Sequence, residues 1–229
     1  MSETTPLLAL PLLAAAQAQK HVTHNEALVR LDAAVQLAVL DRTRTAPPAT
    51  SLPGDRHLVA AGASGAFAGH AGEIALYDAG WHFLTPRPGW RAYVVAEARA
   101  LLFDGSAWRE ALALTSSGAT ATLRTVEEEL TLTGAFVAST LLNPSRAICL
   151  AVASRTVTAV TGATAYEVGI LGETAKFGGL LSIAAGASNI GVIGPQAFYA
   201  DTPLRITALG GSFTGGRVRL VLSYLAFTL

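Results

Sequence analysis

The stretch RVRLVLSYLAF (residues 217–227) decides the fold class of this chain. Polar and apolar residues alternate in it, Arg217, Arg219 and Ser223 with Val218, Leu220 and Leu222. Successive side chains of a β-strand point to opposite faces of the sheet, so a period of two predicts a strand with one face in a core. We therefore expect this end of the chain to be a strand of an antiparallel sheet.

Similar strand-length runs precede it through the C-terminal half. They are rich in Val, Ile, Thr and aromatic residues, and turn sequences such as NPS, TGAT and GASN separate them. The runs cover residues 129–137, 147–160, 165–172 and 204–213. This pattern predicts a jelly-roll β-sandwich over residues 116–229. Between Gly134 and Tyr166 the only charged residues are Arg146 and Arg155, which favours a contact with another subunit.

Residues 46–115 predict a small antiparallel unit rich in hairpins. EIALYDAGWHFL (73–84) and ALLFDGSAWREA (100–111) each place a turn sequence between two apolar runs. The unit contains Trp81, Trp90 and Trp108, whose rings are candidates for stacking on a glycan, although core packing is the stronger interpretation because a small sheet uses such rings as its core. GASGAFAG (62–69) lacks the Lys and Ser or Thr of a phosphate loop, so it predicts a flexible hairpin connection.

The N-terminal stretch QKHVTHNEALVRLDAAVQLAV (19–39) brings His21, His24 and Glu26 together. Three such residues on one helical face could bind zinc. The spacing of Thr23 and Glu26 instead matches a capping box, which predicts a helix that starts at Thr23 and ends near Asp41. In that case His21 lies outside the helix, and the group is structural.

The predicted helix is amphipathic, with its apolar face formed by Ala27, Leu28, Leu31, Val35 and Ala38. A Pro-rich strap, TRTAPPATSLPGDR (43–56), follows it, so we assign residues 1–45 to an arm and docking helix. The arm PLLALPLL (6–13) adds further apolar surface. We expect Leu28, Leu31 and Val35 to dock on another chain.

Composition limits the classes of partner. The formal net charge is zero and only 14% of the 229 residues are charged, so neither nucleic acid nor an anionic membrane is an expected partner. Half of the chain is apolar, which favours burial in an assembly. No Lys or Arg precedes the first apolar run, and Pro6 and Pro11 interrupt it, so we expect neither a signal peptide nor a membrane-inserted segment, and synthesis in the cytoplasm.

No arrangement of residues predicts catalysis. The sequence has no Gly-x-Ser-x-Gly, no Cys-x-x-Cys and no histidine after His82. Cys149 lies in an apolar run and is expected to be a buried side chain. Glu127, Glu128 and Glu129 predict a solvated edge, whereas Glu167, Glu173 and Asp201 could pair as glycosidase carboxylates only if the fold brought them together. We expect no enzymatic activity, no cofactor and no metal.

Two segments resemble a known family. AAQAQKHVTHNEAL (15–28) and GEIALYDAGWHF (72–83) are similar to the uncharacterised N-terminal family of prophage and gene-transfer-agent spike and fibre proteins. VTGATAYEVGI (160–170) and RITALGGSFTGGRVRL (205–220) are similar to the sandwich that often completes such proteins. The resemblance is most specific in about the first half of the chain. It implies no catalytic residue.

The resemblance implies a structural virion protein, most similar to the head-spike base of a gene transfer agent. Such a protein would form a homo-oligomer, five copies being natural at a capsid vertex. It would bind the capsid or another virion protein, anchor a distal spike fibre and support attachment to host capsular polysaccharide. The alternatives are a tail-fibre adaptor or receptor-binding protein and, from another class, a polysaccharide-cleaving enzyme.

Overall fold

The computed structural model describes residues 3–13 and 20–228, and its fold is mainly β with an N-terminal helix. The chain divides into two compact units, one ending at Ala111 and one starting at Leu112. The predicted division at residues 45 and 115 stays a prediction. The first unit contains α1 (Lys20–Ala34), β1 (Ala38–Val39), β2 (Arg56–Leu58), β3 (Ile74–Tyr77), β4 (Trp81–Leu84), β5 (Arg91–Val94), β6 (Arg99–Phe103) and β7 (Trp108–Arg109).

Both predicted hairpins are present in the first unit. β3 pairs with β4 through a turn in which Ala79 has a positive φ, and β6 pairs with β7. The sheets have the orders β2-β3-β4 and β1-β5-β6-β7, with β1 parallel to β5. The GASGAFAG segment joins β2 to β3 as predicted, but it also contains a short 3-10 helix, Gly65–Phe67, whose Phe67 is fully buried.

The predicted start of the helix is wrong. α1 begins at Lys20, so His21 and Thr23 both lie inside it, and Thr23 is not its N-cap. The side chains of Thr23 and Glu26 are exposed. Residues three apart lie on neighbouring turns of any helix, so the Thr-x-x-Glu spacing does not distinguish a cap from an interior turn.

The predicted end of the helix is also wrong, since α1 stops at Ala34 rather than near Asp41. Gln36 adopts a left-handed φ of 48°, which ends a helix. The Arg56 guanidinium donates to the carbonyl oxygen of Ala33 at 2.9 Å and satisfies one acceptor of the last turn. Leu37 and Val39 then turn into the core beneath β1, so Ala38 belongs to a strand and not to the helix face.

The second unit is the predicted jelly roll. Its strands are β8 (Ala113–Leu114), β9 (Thr120–Thr131), β10 (Phe136–Asn143), β11 (Ile148–Thr161), β12 (Ala165–Ile170), β13 (Glu173–Leu181), β14 (Ser188–Ala197), β15 (Thr202–Leu209) and β16 (Gly215–Thr228). They form two antiparallel sheets, β14-β11-β16-β9-β8 and β10-β15-β12-β13. Apart from the β12–β13 hairpin, consecutive strands from β9 to β16 alternate between the sheets, as in a jelly roll.

The core of this unit lies between the two sheets. On the inward side of β16, Val218, Leu220 and Leu222 are fully buried. They share this core with Leu204 and Ile206 of the opposite sheet. Side chains on the other side of β16 point away from this core. The alternation that predicted the strand therefore also gives the orientation of its two faces.

β13 and β14, which end the two sheets, approach each other closely. The Asn189 side chain donates from Nδ2 to the carbonyl oxygen of Phe177 at 2.9 Å. A Cβ atom added at Gly191 would overlap that same oxygen. Glycine is required there because the backbones of the two strands leave no room for a side chain.

Leu220→Ala should lower the free energy of unfolding by about 2–5 kcal/mol, because it leaves a cavity between the two sheets. Leu171→Ala, at the exposed turn between β12 and β13, is the matched control and should change it by less than about 0.5 kcal/mol. Chemical denaturation of both variants checks the assignment. Equal effects of the two substitutions would contradict the burial of this side of β16.

Candidate functional site: the N-terminal arm and helix

The arm before α1 folds back on itself. The Thr5 amide donates to the carbonyl oxygen of Leu10 at 2.9 Å, and the Leu12 amide donates to that of Glu3 at 2.8 Å. Residues 6–8 form the turn between these contacts. These two hydrogen bonds close the turn, and the leucine side chains of the arm remain available for other contacts.

Asp32 on α1 holds this turn in place. Its carboxylate accepts hydrogen bonds from the Thr5 hydroxyl at 2.8 Å, from the Leu7 amide at 2.9 Å and from the Leu8 amide. The side chain is only 1% exposed, and a buried carboxylate is stable when such donors surround it. Burial lowers the pKa of the nearby Arg56 guanidinium and the charge of Asp32 opposes that shift, so a buried cation also faces the carboxylate.

A second tether lies about two turns earlier on the helix. The Asn25 side chain accepts a hydrogen bond from the Leu13 amide at 2.9 Å and donates to the Leu13 carbonyl oxygen at 3.1 Å. Both groups of the amide are used, so the contact fixes the backbone of Leu13 as well as its position. Asp32 and Asn25 together place the arm along α1.

The arm and the helix present an apolar surface to solvent. We call Leu7, Leu8, Leu28, Leu31 and Val35 the docking surface. Leu28, Leu31 and Val35 follow each other at spacings of three and four, and hydrogen bonds to Asp32 hold the backbone of Leu7 and Leu8 beside the same turns. Leu31 is 51% exposed, Leu28 is half-buried, and the others are exposed. The buried residues of α1 are instead Asp32 and Ala33.

The sequence predicted docking through Leu28, Leu31 and Val35, with further apolar surface on the arm, and this stays a prediction; it did not predict the tethers Asp32 and Asn25. The available signal was the position of Asp32 inside the apolar run VRLDAAV. A carboxylate there needs a partner if it is buried, yet the sequence does not show that the partner is the backbone of the arm.

The three predicted glycan-stacking residues pack inside the first unit. Trp81 lies edge-on to Phe67, with 4.9 Å between ring centroids. Trp108 donates its indole N–H to the carbonyl oxygen of Gly72 at 2.9 Å, and Trp90 packs with Trp108 against the core beneath β1. All three are half-buried. Stacking on a glycan stays a prediction for them.

Two of the three acidic residues considered as catalytic, and one residue of the acidic run 127–129, make local contacts. Glu173 pairs with Lys176 at 2.8 Å, and Asp201 accepts a hydrogen bond from the Ser145 amide at 2.7 Å. Glu128 accepts hydrogen bonds from the amides of Thr140 and Leu141. Their neighbours Glu127 and Glu129 point to the other face of β9, as expected for adjacent strand residues.

Cys149 is buried as predicted, and burial raises the pKa of its thiol. A thiol with a raised pKa is mostly protonated near neutral pH and is a poor nucleophile. Among the residues described, no group of three or more His, Cys, Asp and Glu side chains is placed to hold a metal ion. No helix in the described part of the chain is long and apolar enough to cross a membrane.

A shallow cleft of about 340 Å³ lies in the first unit beside Glu73, Thr85 and Arg87. Burial raises the pKa of Glu73, but hydrogen bonds from Thr85 at 2.6 Å and from His70 at 2.7 Å outweigh it and lower the pKa overall. Glu73 is therefore an ionised acceptor engaged by its neighbours rather than a general acid.

Part of the chain matches the model of a known protein family. Residues 24–109 match the model of a family described as a protein of unknown function (DUF2793), a range that includes most of α1 and all of β1 to β7. Among curated proteins nothing matches. One solved structure with a similar chain is the cyanophage Pam1 capsid asymmetric unit, with 17% sequence identity and a TM-score of 0.36, over 46% of this chain and 85% of that one. At that TM-score the likeness supports no conclusion about function.

Asp32→Ala should release the arm while leaving most of the first unit folded. The substitution removes three hydrogen bonds to a charged acceptor, so the amides of Leu7 and Leu8 should exchange with deuterium at least roughly tenfold faster. Hydrogen exchange measures this directly. Glu26→Ala, an exposed change on the same helix, is the control and should leave both amides protected. Unchanged protection in Asp32→Ala would mean that other contacts hold the arm.

Proposed function

We propose that the protein is a structural component of a phage-like particle. The support comes from the first unit, because its AAQAQKHVTHNEAL and GEIALYDAGWHF motifs resemble spike and fibre proteins and the family match at residues 24–109 overlaps both segments. An uncharacterised family gives no activity of its own. The virion role therefore rests on the resemblance together with the surfaces that the fold leaves exposed.

The finer proposal is a head-spike base. In this role the protein self-associates, docks on the capsid or another virion protein and anchors a distal spike fibre that supports attachment to host capsular polysaccharide. The number of copies follows only from the symmetry of the attachment point: a capsid vertex would favour five. A tail-fibre adaptor would use the same surfaces at a different place on the particle.

The observation that carries the proposal is the docking surface. All but Leu28 of its side chains are exposed although the chain has ample core elsewhere, and two polar tethers, Asp32 and Asn25, hold the arm and the helix in a defined arrangement. Exposed apolar side chains on an ordered scaffold favour protein contact, because binding then costs little ordering entropy. We assign this surface to the virion partner.

We also propose that the protein acts without catalysis. Glu173 and Asp201 each bind a neighbouring group, and Glu167 lies on β12. A polysaccharide-cleaving enzyme remains the alternative from another class. It would shorten host capsule chains on incubation with the purified protein, and Glu167→Gln or Asp201→Asn would abolish the cleavage; our proposal predicts unchanged chain lengths with every one of these proteins.

Replacing Leu31 and Val35 together by Asp should prevent incorporation into particles. Both side chains are exposed, so the melting temperature should change little, whereas two buried charges at an interface should reduce incorporation by roughly tenfold or more. The readout is the amount of protein that co-sediments with purified particles. Deleting residues 1–45 is less suitable, because it would also remove Leu37 and Val39 from the core.

Leu52→Asp is the control, since Leu52 is a leucine of the same unit that is more exposed than Leu31 or Val35. It should incorporate like the unaltered protein. Normal incorporation of the Leu31/Val35 variant would contradict the docking role, and loss of incorporation in both variants would mean that the assay reports general solubility.

A further inference from the structure

The outer face of the sheet β14-β11-β16-β9 is mostly apolar. Its side chains lie opposite those that enter the core, and the pairing register places them in rows that cross four strands. One row consists of Val192, Ala151, Ser223 and Thr125, and the next consists of Ile190, Ala153, Val221 and Glu127. The paired residues Leu225 and Leu123 extend the apolar face beyond the row of Ser223 and Thr125. We call these residues the sheet face.

The sheet face is open to solvent. Ile190 and Val192 are 73% and 74% exposed, and Leu123 is also exposed. Two of its polar residues pair with each other, since the hydroxyls of Ser223 and Thr125 lie 3.1 Å apart. Isolated exposed leucines are ordinary on a soluble protein, whereas a continuous apolar face across four strands is typical of an interface.

Charges at the border of the sheet face indicate what covers it. Glu127 on β9 and Arg155 on β11 are exposed, lie on opposite sides of β16 and are one row apart. Strand spacing puts them roughly 12 Å from each other, too far for an ion pair within one chain. Within the described residues neither forms a salt bridge, whereas the adjacent Arg219 and Glu129 pair at 3.1 Å.

We propose that a second copy of this chain covers the sheet face. A two-fold axis in the plane of the face, passing between Glu127 and Arg155, exchanges their positions. The Glu127 carboxylate of each copy then meets the Arg155 guanidinium of the other, which gives two ion pairs. The same rotation brings Ala153 over Val221 and Ile190 over the row of Ser223. Glu127 and Arg155 thus complement each other across the axis, as an isologous interface requires. Arg219 lies beside the axis and comes close to its own copy, but Glu129 already balances its charge.

This inference deepens the self-association in the proposed function by naming its surface and symmetry. A two-fold contact closes on two copies, so the purified protein is a dimer through this face. It differs in this respect from the five copies that a capsid vertex alone would favour. It does not involve the docking surface, and the two surfaces can be tested separately.

The test is the mass of the full chain by analytical ultracentrifugation, across a range of concentrations. The unaltered protein should be a dimer. Ile190→Asp combined with Val192→Asp should be monomeric, and Leu171→Asp, an exposed leucine at a turn outside the face, should remain dimeric. Circular dichroism melting of each variant shows that the sandwich is intact, because all three positions are exposed.

Charge reversal tests the arrangement itself. Glu127→Arg and Arg155→Glu should each weaken the dimer by roughly tenfold or more, because like charges then meet across the axis. The double reversal should restore most of the affinity, which a general effect of surface charge would not do.

If the Ile190/Val192 variant remained a dimer, the sheet face would not be the interface. A mass of five copies would also overturn it, and so would a double-reversal variant that dimerises more weakly than either single variant. A monomer at all concentrations would overturn self-association as well. Particle incorporation of the Leu31/Val35 variant would still decide the virion role, so the two failures are distinguishable.

Discussion

The arrangement of the second unit depends on the burial of one side of β16. This strand pairs with β9 along one edge and with β11 along the other, and its Val218, Leu220 and Leu222 fill the space between the sheets. A shift of one residue would exchange the buried and exposed sets. The alternation that makes the core therefore also determines which residues, Val221 and Ser223 among them, remain on the outside for contact with another molecule.

Polar contacts have the corresponding role in the first unit. The helix buries Asp32 and Ala33, while Leu31 faces solvent and Leu28 is half-buried. Asp32 accepts hydrogen bonds from the arm, and Arg56 donates one to the last turn of the helix. These buried polar contacts orient α1. Buried charged groups are costly unless they are satisfied, and their geometric demands are strict. These buried polar contacts therefore hold α1 in one orientation, although the apolar side chains of the helix are mostly outside the core.

The sequence predicted those features that depend on a regular period or a local turn. The strand period of residues 217–227 and the turn at Asp78 to Gly80 were sufficient to predict the jelly roll and a hairpin. The helix boundaries could not be predicted, because Gln36 ends α1 with a left-handed φ that no local motif announces and because Thr23 and Glu26 fit a helix interior as well as a cap. Asp32 was missed for a related reason, since its donors are backbone groups some 25 residues away.

The docking surface of the first unit and the sheet face of the second are the physical basis of the proposed role in assembly. The most direct test of that role is electron microscopy of particles from cells that make the protein and from cells that lack it, with the amount of the protein in the purified particles measured in parallel. Our account predicts surface projections on the first particles and their absence from the second, with intact shells in both. Identical particles, with no protein co-purifying from the producing cells, would contradict it.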